Sequence, residues 1–378
     1  MIYLDNASTT KVSNVACKAA VEVMLNKYGN PSSVHGFGLE SEMIIRNARE
    51  IINKIIDGES RDLVYFTSGG TEANNLAITG SAKAKSKQGK GIVCSEYEHS
   101  SCYEAVKELE KLGYTVTYVK PEKDGTINPV TFADAVCCDT VLAVCMAVNN
   151  ETGGINNIAR MVKLARKKNP SVHFHCDGVQ AFCKIPISAK KWDVDSLSVS
   201  GHKIAAPKGI GALYLKKGVR ILPSIYGGSQ QNKVRPGTEN LSGIAAMGAA
   251  CEDYYENGHK YNEKIEELNL YAKEVFANKG IKILSGDGAI SNIISISVAP
   301  IKSETMLHYL EQQGIMVSSG SACSKGEKSH VVQVWPIDEK DKDSVIRVSF
   351  GRENTREEVR VASEFIAEGI KSLKFKGV

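Results

Sequence analysis

The chain has 378 residues, 42% of them hydrophobic, with 33 glycines besides, so it can fill a sizeable core and is not a disordered polymer. Its 47 Lys and Arg exceed its 43 Asp and Glu by four, which gives no basic patch or stripe for nucleic acid. No apolar stretch approaches the roughly 18–20 residues a bilayer-crossing helix needs, so neither a membrane nor a nucleic acid is an expected partner.

The length allows two or three domains, or one large one. In chain order, the first long pattern is Gly38–Ile56, where Ile44, Ile45, Ala48, Ile51, Ile52 and Ile55 recur at helical spacing. Leu63–Thr67 reads as a strand, the loop Ser68-Gly69-Gly70 opens a helix over Thr71–Lys87, and Gly91–Ser95 is the next strand. A helical stretch, Ser101–Leu112, precedes strands at Thr115–Val119, Val141–Ala147, Val172–Cys176, Ser196–Ser200 and Gly211–Leu215. Such alternation predicts an α/β unit around a mostly parallel sheet. Near residue 252 the character changes to a charged, helix-rich segment, Glu252–Asn278. The strand-like runs Asn292–Val298 and Val345–Phe350 and the helices Glu304–Gln313 and Thr355–Leu373 follow, which predicts a smaller α+β domain.

Ten cysteines stand in the chain, but no C-x-x-C pair occurs, which disfavours a zinc ribbon and a thioredoxin-like motif. The start, Met1-Ile2-Tyr3-Leu4-Asp5-Asn6, lacks the basic and apolar regions of a secretory signal. A reducing cytoplasm is therefore the expected location, with most cysteines as small core residues.

Three motifs carry chemistry. Phe66–Asn75 ends a strand, turns on two glycines and opens a helix beside hydroxyl residues; this would suit a phosphate, or be an ordinary N-capped helix. Ser198–Lys203 places a lysine beside a histidine and small hydroxyl residues at a strand end, a candidate Schiff-base lysine if it is not a surface one. His173-Phe174-His175-Cys176-Asp177 puts residues 173, 175 and 177 on one strand face. That triplet could ligate a metal, or Asp177 alone could serve as an anionic partner for a cofactor nitrogen. A phosphate cradle, a strand-end aspartate and a following lysine together are what pyridoxal 5′-phosphate (PLP) requires, and they leave a metal hydrolase a poor second.

With these motifs in order, the chain resembles the cysteine desulfurases of the NifS/IscS type, in the fold-type I, class V aminotransferase superfamily. The resemblance runs nearly end to end, through Tyr3–Thr10, Gly29–His35, Thr67–Asn75, Glu98-His99, Asn149-Asn150-Glu151, His175-x-Asp177, Ser200-x-His202-Lys203, Arg235-x-Gly237-Thr238, Ser318–Ser324 and Ile346–Arg352. It implies an α/β fold: a large PLP-binding domain over residues 15–251 with a mostly parallel seven-stranded sheet. Residues 1–14 and 252–378 would form the small α+β domain. By resemblance, Lys203 would hold the cofactor and take the substrate Cα proton, Asp177 would pair with the pyridine nitrogen, and Gln180 would bond the ring hydroxyl. His99 would stack on the ring and move protons near the substrate sulfur. Gly70, Thr71, Ser200 and His202 would bind the phosphate, with Thr238 reaching across from the second subunit of a homodimer. Asn150 would contact cofactor and substrate, and Arg347 would clamp the carboxylate of L-cysteine. No metal is implied.

The same resemblance singles out Cys323, in Ser318-Ser319-Gly320-Ser321-Ala322-Cys323, as the thiol that takes the substrate sulfur and leaves L-alanine. The S-S-G-S-A-C form matches the IscS-like rather than the SufS-like branch. Lys325 and Lys328 nearby would favour its thiolate. The other nine cysteines are expected to be packing residues. A sulfur-acceptor protein is implied as partner, an iron–sulfur scaffold or a tRNA-thiolation enzyme. Departures from the family pattern stand at Gly178, Cys183, Ala206, Gln231 and Pro236, none of which removes a catalytic group. A selenocysteine lyase or aminotransferase of the same superfamily, or a non-catalytic paralogue, are the alternatives.

Overall fold

A computed structural model describes residues 1–59, 64–319 and 329–375, with side chains described to residue 373. Cys323 and its neighbours Ser321, Ala322, Lys325 and Lys328 lie outside the described residues. The chain opens with β1 (Ile2–Tyr3), α1 (Asn14–Asn26) and α2 (Gly36–Ile55). An alternating series follows: β2 (Val64–Thr67), α3 (Gly70–Ala84), β3 (Gly91–Ser95), α4 (Ser100–Lys111), β4 (Thr115–Val119) and α5 (Pro129–Asp134). It continues through β5 (Thr140–Val144), α6 (Ile158–Lys168), β6 (His173–Asp177), α7 (Ala189–Trp192), β7 (Ser196–Ser200) and β8 (Gly211–Leu215). The remainder is α8 (Leu241–Asn278), β9 (Lys282–Ile283), β10 (Ile293–Ser297), α9 (Ser303–Gln312), β11 (Ile315–Met316) and β12 (Ser318–Ser319). It closes with α10 (His330–Val334), α11 (Glu339–Lys342), β13 (Val345–Ser349) and α12 (Arg356–Phe375).

Seven strands form the main sheet in the order β2-β8-β7-β6-β5-β3-β4. Only β8 runs against its neighbours; the pairs β6–β7, β5–β6, β3–β5 and β3–β4 are parallel. Strands β3, β5, β6, β7 and β8 are buried throughout, as the continuous apolar runs of a sheet covered on both faces require. Parallel strands bring their carboxyl ends to one edge, where open α/β sheets bind ligands. A second sheet, β12-β13-β10-β9, is antiparallel throughout, and β1 pairs in parallel with β11.

The change of character read at residue 252 falls within one continuous helix. The first half of α8 buries Leu241, Ile244, Met247 and Cys251 in the core of the large sheet. Its second half buries Ile265, Leu268, Ala272 and Phe276 in the core of the small one. The apolar face persists while surface charge rises, so composition shifts where the backbone does not break. The first residues span both cores as well, with Leu4 in the second and Ala7 in the first.

The cysteines divide differently from the expectation that nine pack inside. Cys94, Cys102, Cys145, Cys176, Cys183 and Cys251 are buried, but Cys17, Cys137 and Cys138 are exposed. Cys17 lies on the outward face of α1, and the adjacent pair occupies the turn leading into β5.

Candidate active site

Every large-sheet residue singled out for cofactor chemistry, Thr238 apart, lies at or just beyond the carboxyl end of a strand. Gly70 and Thr71 begin α3 after β2; His99 caps α4 after β3; Asn150 follows β5. Asp177 is the last residue of β6, with Gln180 after it, and Ser200 ends β7 before His202 and Lys203 in a single 3₁₀ turn. Thr238 is exposed on the loop before α8.

The first turn of α3 offers backbone N–H groups that the helix itself cannot satisfy. Glycine at position 70 keeps this approach open, since a Cβ there would crowd the Val179 Cγ2 methyl at 2.7 Å. The helix is tied down by Glu72, whose carboxylate takes Arg235 Nε at 2.7 Å and Nη2 at 3.2 Å and also accepts the Ser68 N–H. Burial works to raise the Glu72 pKa, but the Arg235 and Ser68 hydrogen bonds outweigh it and hold the group below its ordinary value.

The Lys203 ammonium donates to Ala7 O at 2.5 Å and Ser8 O at 2.7 Å. Ala7 O also accepts Gln180 Nε2 at 2.9 Å, and Gln180 Oε1 accepts Lys184 Nζ at 2.6 Å. Burial, then the charge of Lys203, lowers the Lys184 pKa to about 7. Beside Lys203, His202 Nδ1 lies 3.2 Å from Thr9 Oγ1, and burial followed by Lys203 and Lys208 lowers its pKa to about 4. An anion bound at this turn would act in the opposite direction.

Asp177 is buried, and its Oδ1 accepts the Val179 N–H at 2.9 Å. Its Oδ2 accepts Asn74 Nδ2 at 2.8 Å. The register of β6 on β7 pairs His175 with Ser196 and Asp177 with Ser198, and both pairs touch through their side chains. The three-ligand reading of His173, His175 and Asp177 meets other partners: both histidines turn to the Ser196 hydroxyl, at 2.8 and 2.9 Å. Burial lowers both imidazoles to about 3, so they are neutral at physiological pH. Among the described residues, no group of three His, Cys, Asp or Glu side chains is placed to hold a metal ion.

His99 Nδ1 accepts the Ser101 backbone N–H at 3.2 Å, so a neutral ring carries its proton on Nε2. Burial, partly offset by Asp177, lowers its pKa. The preceding Glu98 is wholly buried; its Oε1 accepts from the Ser95 hydroxyl and from Met146 N at 2.7 Å, and burial raises its pKa to about 8.

Arg347 comes from β13 of the small sheet. Nη1 donates to Asn150 O at 2.6 Å, and Nη2 donates to Asp5 Oδ1 at 2.9 Å and Ser8 Oγ at 2.6 Å. Arg347 Nε and Asn150 Oδ1 are buried with no partner among the described residues. Two unsatisfied polar atoms, one donor and one acceptor, beside a fixed cation suit an α-amino acid, which brings a carboxylate and an ammonium group. Together with the Gly70 cradle, Asp177 and Lys203, this donor set fits PLP. The motifs did not single out Asn74, Ser101, Asp5 or Lys184. Asn74 lies on α3, and its signal lay in its partners, the polar residues at alternate positions of the buried strands β6 and β7; for Lys184 it was the four-residue spacing from Gln180.

Among the departures from the family pattern, Gln231 is buried and its Oε1 accepts Arg49 Nη2 at 2.9 Å and Phe66 N at 3.1 Å. It therefore anchors β2 to the loop that carries Arg235 and Thr238. Ala206 is fully buried.

An aminotransferase class-V family model matches residues 2–361. A cysteine desulfurase IscS of Dictyoglomus turgidum is 39% identical over 378 residues, covering 99% of this chain and 95% of that protein. A cysteine desulfurase IscS of Methanosarcina thermophila is 36% identical, covering 99% and 93%. A solved NifS-like protein superposes with a TM-score of 0.92 at 33% identity, covering 99% of both chains. A NifS-like protein of Rickettsia africae does so with 0.87 at 28%, covering 97% and 99%. The chain belongs to the class-V aminotransferases, and within them to the PLP-dependent IscS/NifS cysteine desulfurases.

Proposed function

We propose that this enzyme removes sulfur from L-cysteine with Lys203, Asp177 and His99 as its cofactor-side machinery and Cys323 as its sulfur carrier. The observation that carries the reading is that Ser8 joins two groups. Its carbonyl accepts from Lys203 and its hydroxyl from Arg347, so the base and the carboxylate-binding cation meet over one residue. Bound PLP supplies an electron sink for negative charge at the substrate Cα. Arg347 and Asn150 hold the amino acid by its carboxylate, which orients the Cα–H bond toward Lys203. Lys203 takes that proton. Asp177, fixed by hydrogen bonds from Val179 N, Asn74 and Ser198, would keep a proton on the pyridine nitrogen. Gly70 and Thr71 amides, Ser200 and His202 bind the phosphate, and Gln180 bonds the ring hydroxyl. Neutral His99 presents Nε2–H as a proton donor on the sulfur side.

The Cys323 thiolate attacks the substrate sulfur. The S–S bond forms as Cβ–S breaks, the carbon fragment takes up a proton at Cβ, regains at Cα the proton held by Lys203 and leaves as L-alanine, and Cys323 becomes a persulfide. No external oxidant or reductant is needed. A nucleophilic thiol is consistent with a reducing cytoplasm, and among the described residues no helix is long and apolar enough to cross a membrane. The reading divides the chain into a large domain at 15–251 and a small one from 1–14 with 252–378, joined through α8. It further makes the enzyme a homodimer, with Thr238 completing the partner's phosphate site. Large apolar side chains left exposed on α1 and α2, among them Met24, Leu25, Leu39 and Met43, support that pairing. The persulfide passes to an acceptor protein of iron–sulfur assembly or tRNA thiolation.

The cofactor assignment is tested by absorbance. The holoenzyme is expected to show the visible band of a PLP–lysine adduct, and Lys203→Ala is expected to lose it. A band retained in Lys203→Ala would contradict the assignment.

A further inference from the structure

A continuous polar chain runs beneath the site, and its direction follows from its ends. His173 Nδ1 is buried with no partner among the described residues, so the ring's single proton sits on Nε2, where it donates to Ser196 Oγ at 2.8 Å. The Ser196 hydroxyl then donates to His175 Nδ1 at 2.9 Å, which leaves the His175 proton on Nε2. That proton goes to Asn74 Oδ1 at 2.9 Å. With its oxygen so engaged, Asn74 must turn its amide nitrogen toward Asp177 Oδ2, at 2.8 Å, and Ser101 Oγ, at 2.9 Å. Ser101, accepting from Asn74, gives its own proton to His99 Nδ1 at 2.8 Å. Every donor and acceptor between the unpartnered nitrogen of His173 and the ring of His99 is thereby assigned.

We propose that Asn74 is the positioning residue for both sides of the cofactor site. One amide hydrogen fixes the Asp177 carboxylate, and the other, through Ser101, fixes the His99 ring with its proton on Nε2. The His173–Ser196–His175 chain determines which end of the amide faces the carboxylate. A flipped amide would set Asn74 Oδ1 against Asp177 Oδ2, two acceptors in contact within a buried region, which is strongly unfavourable. The histidines stay neutral because they are buried, so the relay carries orientation and no charge. This inference rests on the reading that Asp177 and His99 flank the cofactor.

The test uses the holoenzymes of the parent, Asn74→Leu and Ser101→Ala, with thermal unfolding as the control for folding. Asn74→Leu removes both arms. It is expected to shift the pH midpoint of the cofactor's visible band by at least about one pH unit, a tenfold change in that equilibrium. Its kcat is expected to fall roughly ten- to a hundredfold, with KM changing less than about threefold. Ser101→Ala removes only the His99 arm, so kcat should fall about tenfold while the band midpoint stays at the parent value. A parent midpoint and kcat in Asn74→Leu would overturn the proposal, as would a band shift in Ser101→Ala equal to that of Asn74→Leu. If Asn74→Leu does not fold, the equal-sized Asn74→Asp is read in the same way; if neither folds, unchanged kcat in Ser101→Ala overturns it. A parent holoenzyme with no visible band contradicts the underlying cofactor reading, and the proposal falls with it.

Discussion

Buried Arg347 and half-buried Asp5 form an ion pair, Nη2 to Oδ1 at 2.9 Å, inside the site expected to receive a carboxylate. Asp5 therefore holds the guanidinium in place from one side while Ser8 and the Asn150 carbonyl engage other Nη hydrogens and leave Nε without a partner among the described residues. A lysine could supply the charge but not the planar fork. Arg347→Lys should raise KM for L-cysteine about tenfold or more, with a smaller effect on kcat, measured as alanine released. An unchanged KM would mean that the substrate carboxylate binds elsewhere.

The Glu72–Arg235 pair ties the start of α3 to the loop carrying Thr238, and both side chains are mostly buried, at 15% and 23% exposure. Arg235→Ala should destabilise the fold by about 2 kcal/mol, the range for hydrogen bonds to charged groups. Because the folded pKa of Glu72 is depressed, the stability it contributes is present above the ordinary carboxylate pKa and lost as pH falls through the folded value. Urea unfolding of the parent and Arg235→Ala should thus differ at neutral pH and converge in acid.

Burial of His175 has the opposite chemical sense but the same direction in pH. Its folded pKa of about 3 lies below that of an unfolded imidazole, so between about pH 3 and 6.5 the unfolded chain binds more protons. Stability from this group therefore falls as pH drops below about 6.5, by up to about 1.4 kcal/mol per unit. Substituting His175→Gln costs stability at every pH but removes this slope. Unfolding free energies at pH 7.5 and 5.5 should differ less in the variant than in the parent.

Glu98 is a carboxyl held protonated, with its pKa at about 8. A carboxyl raised in the folded state adds stability below its unfolded pKa and loses it as pH rises through the folded value. Glu98→Gln keeps the shape and cannot ionise. Its stability relative to the parent should therefore rise between about pH 4.5 and about pH 8 and level off above that, read by denaturant titration. A severe loss at pH 7 would mean that Glu98 works as a carboxylate.

The periodic parts of the fold were legible in the chain. Strands Gly91–Ser95, Thr115–Val119, Ser196–Ser200 and Gly211–Leu215 lie where their β-rich runs stand, because short strands carry their signal locally. Helix α1 was not, since its exposed apolar residues blur the amphipathic pattern that burial alone would give. The segment predicted as a strand to Ala147 ends at Val144; its apolar run continues because the following loop is buried beneath the site. Lys203, Asp177 and Arg347 could be named from motifs. Asn74, Ser101 and Asp5 could not be assigned a task, because each acquires it from a partner more than twenty residues away, through contacts that only the folded sheet creates.

Sulfur passes from L-cysteine to Cys323 in the reaction proposed here. The most direct measurement is to incubate the holoenzyme with L-cysteine, quantify alanine, and determine by mass spectrometry whether the peptide containing Cys323 has gained one sulfur atom. The parent is expected to yield alanine and a persulfide on Cys323, and Cys323→Ser no sulfur transfer. Absence of alanine from the parent, or undiminished transfer in Cys323→Ser, would contradict that reaction.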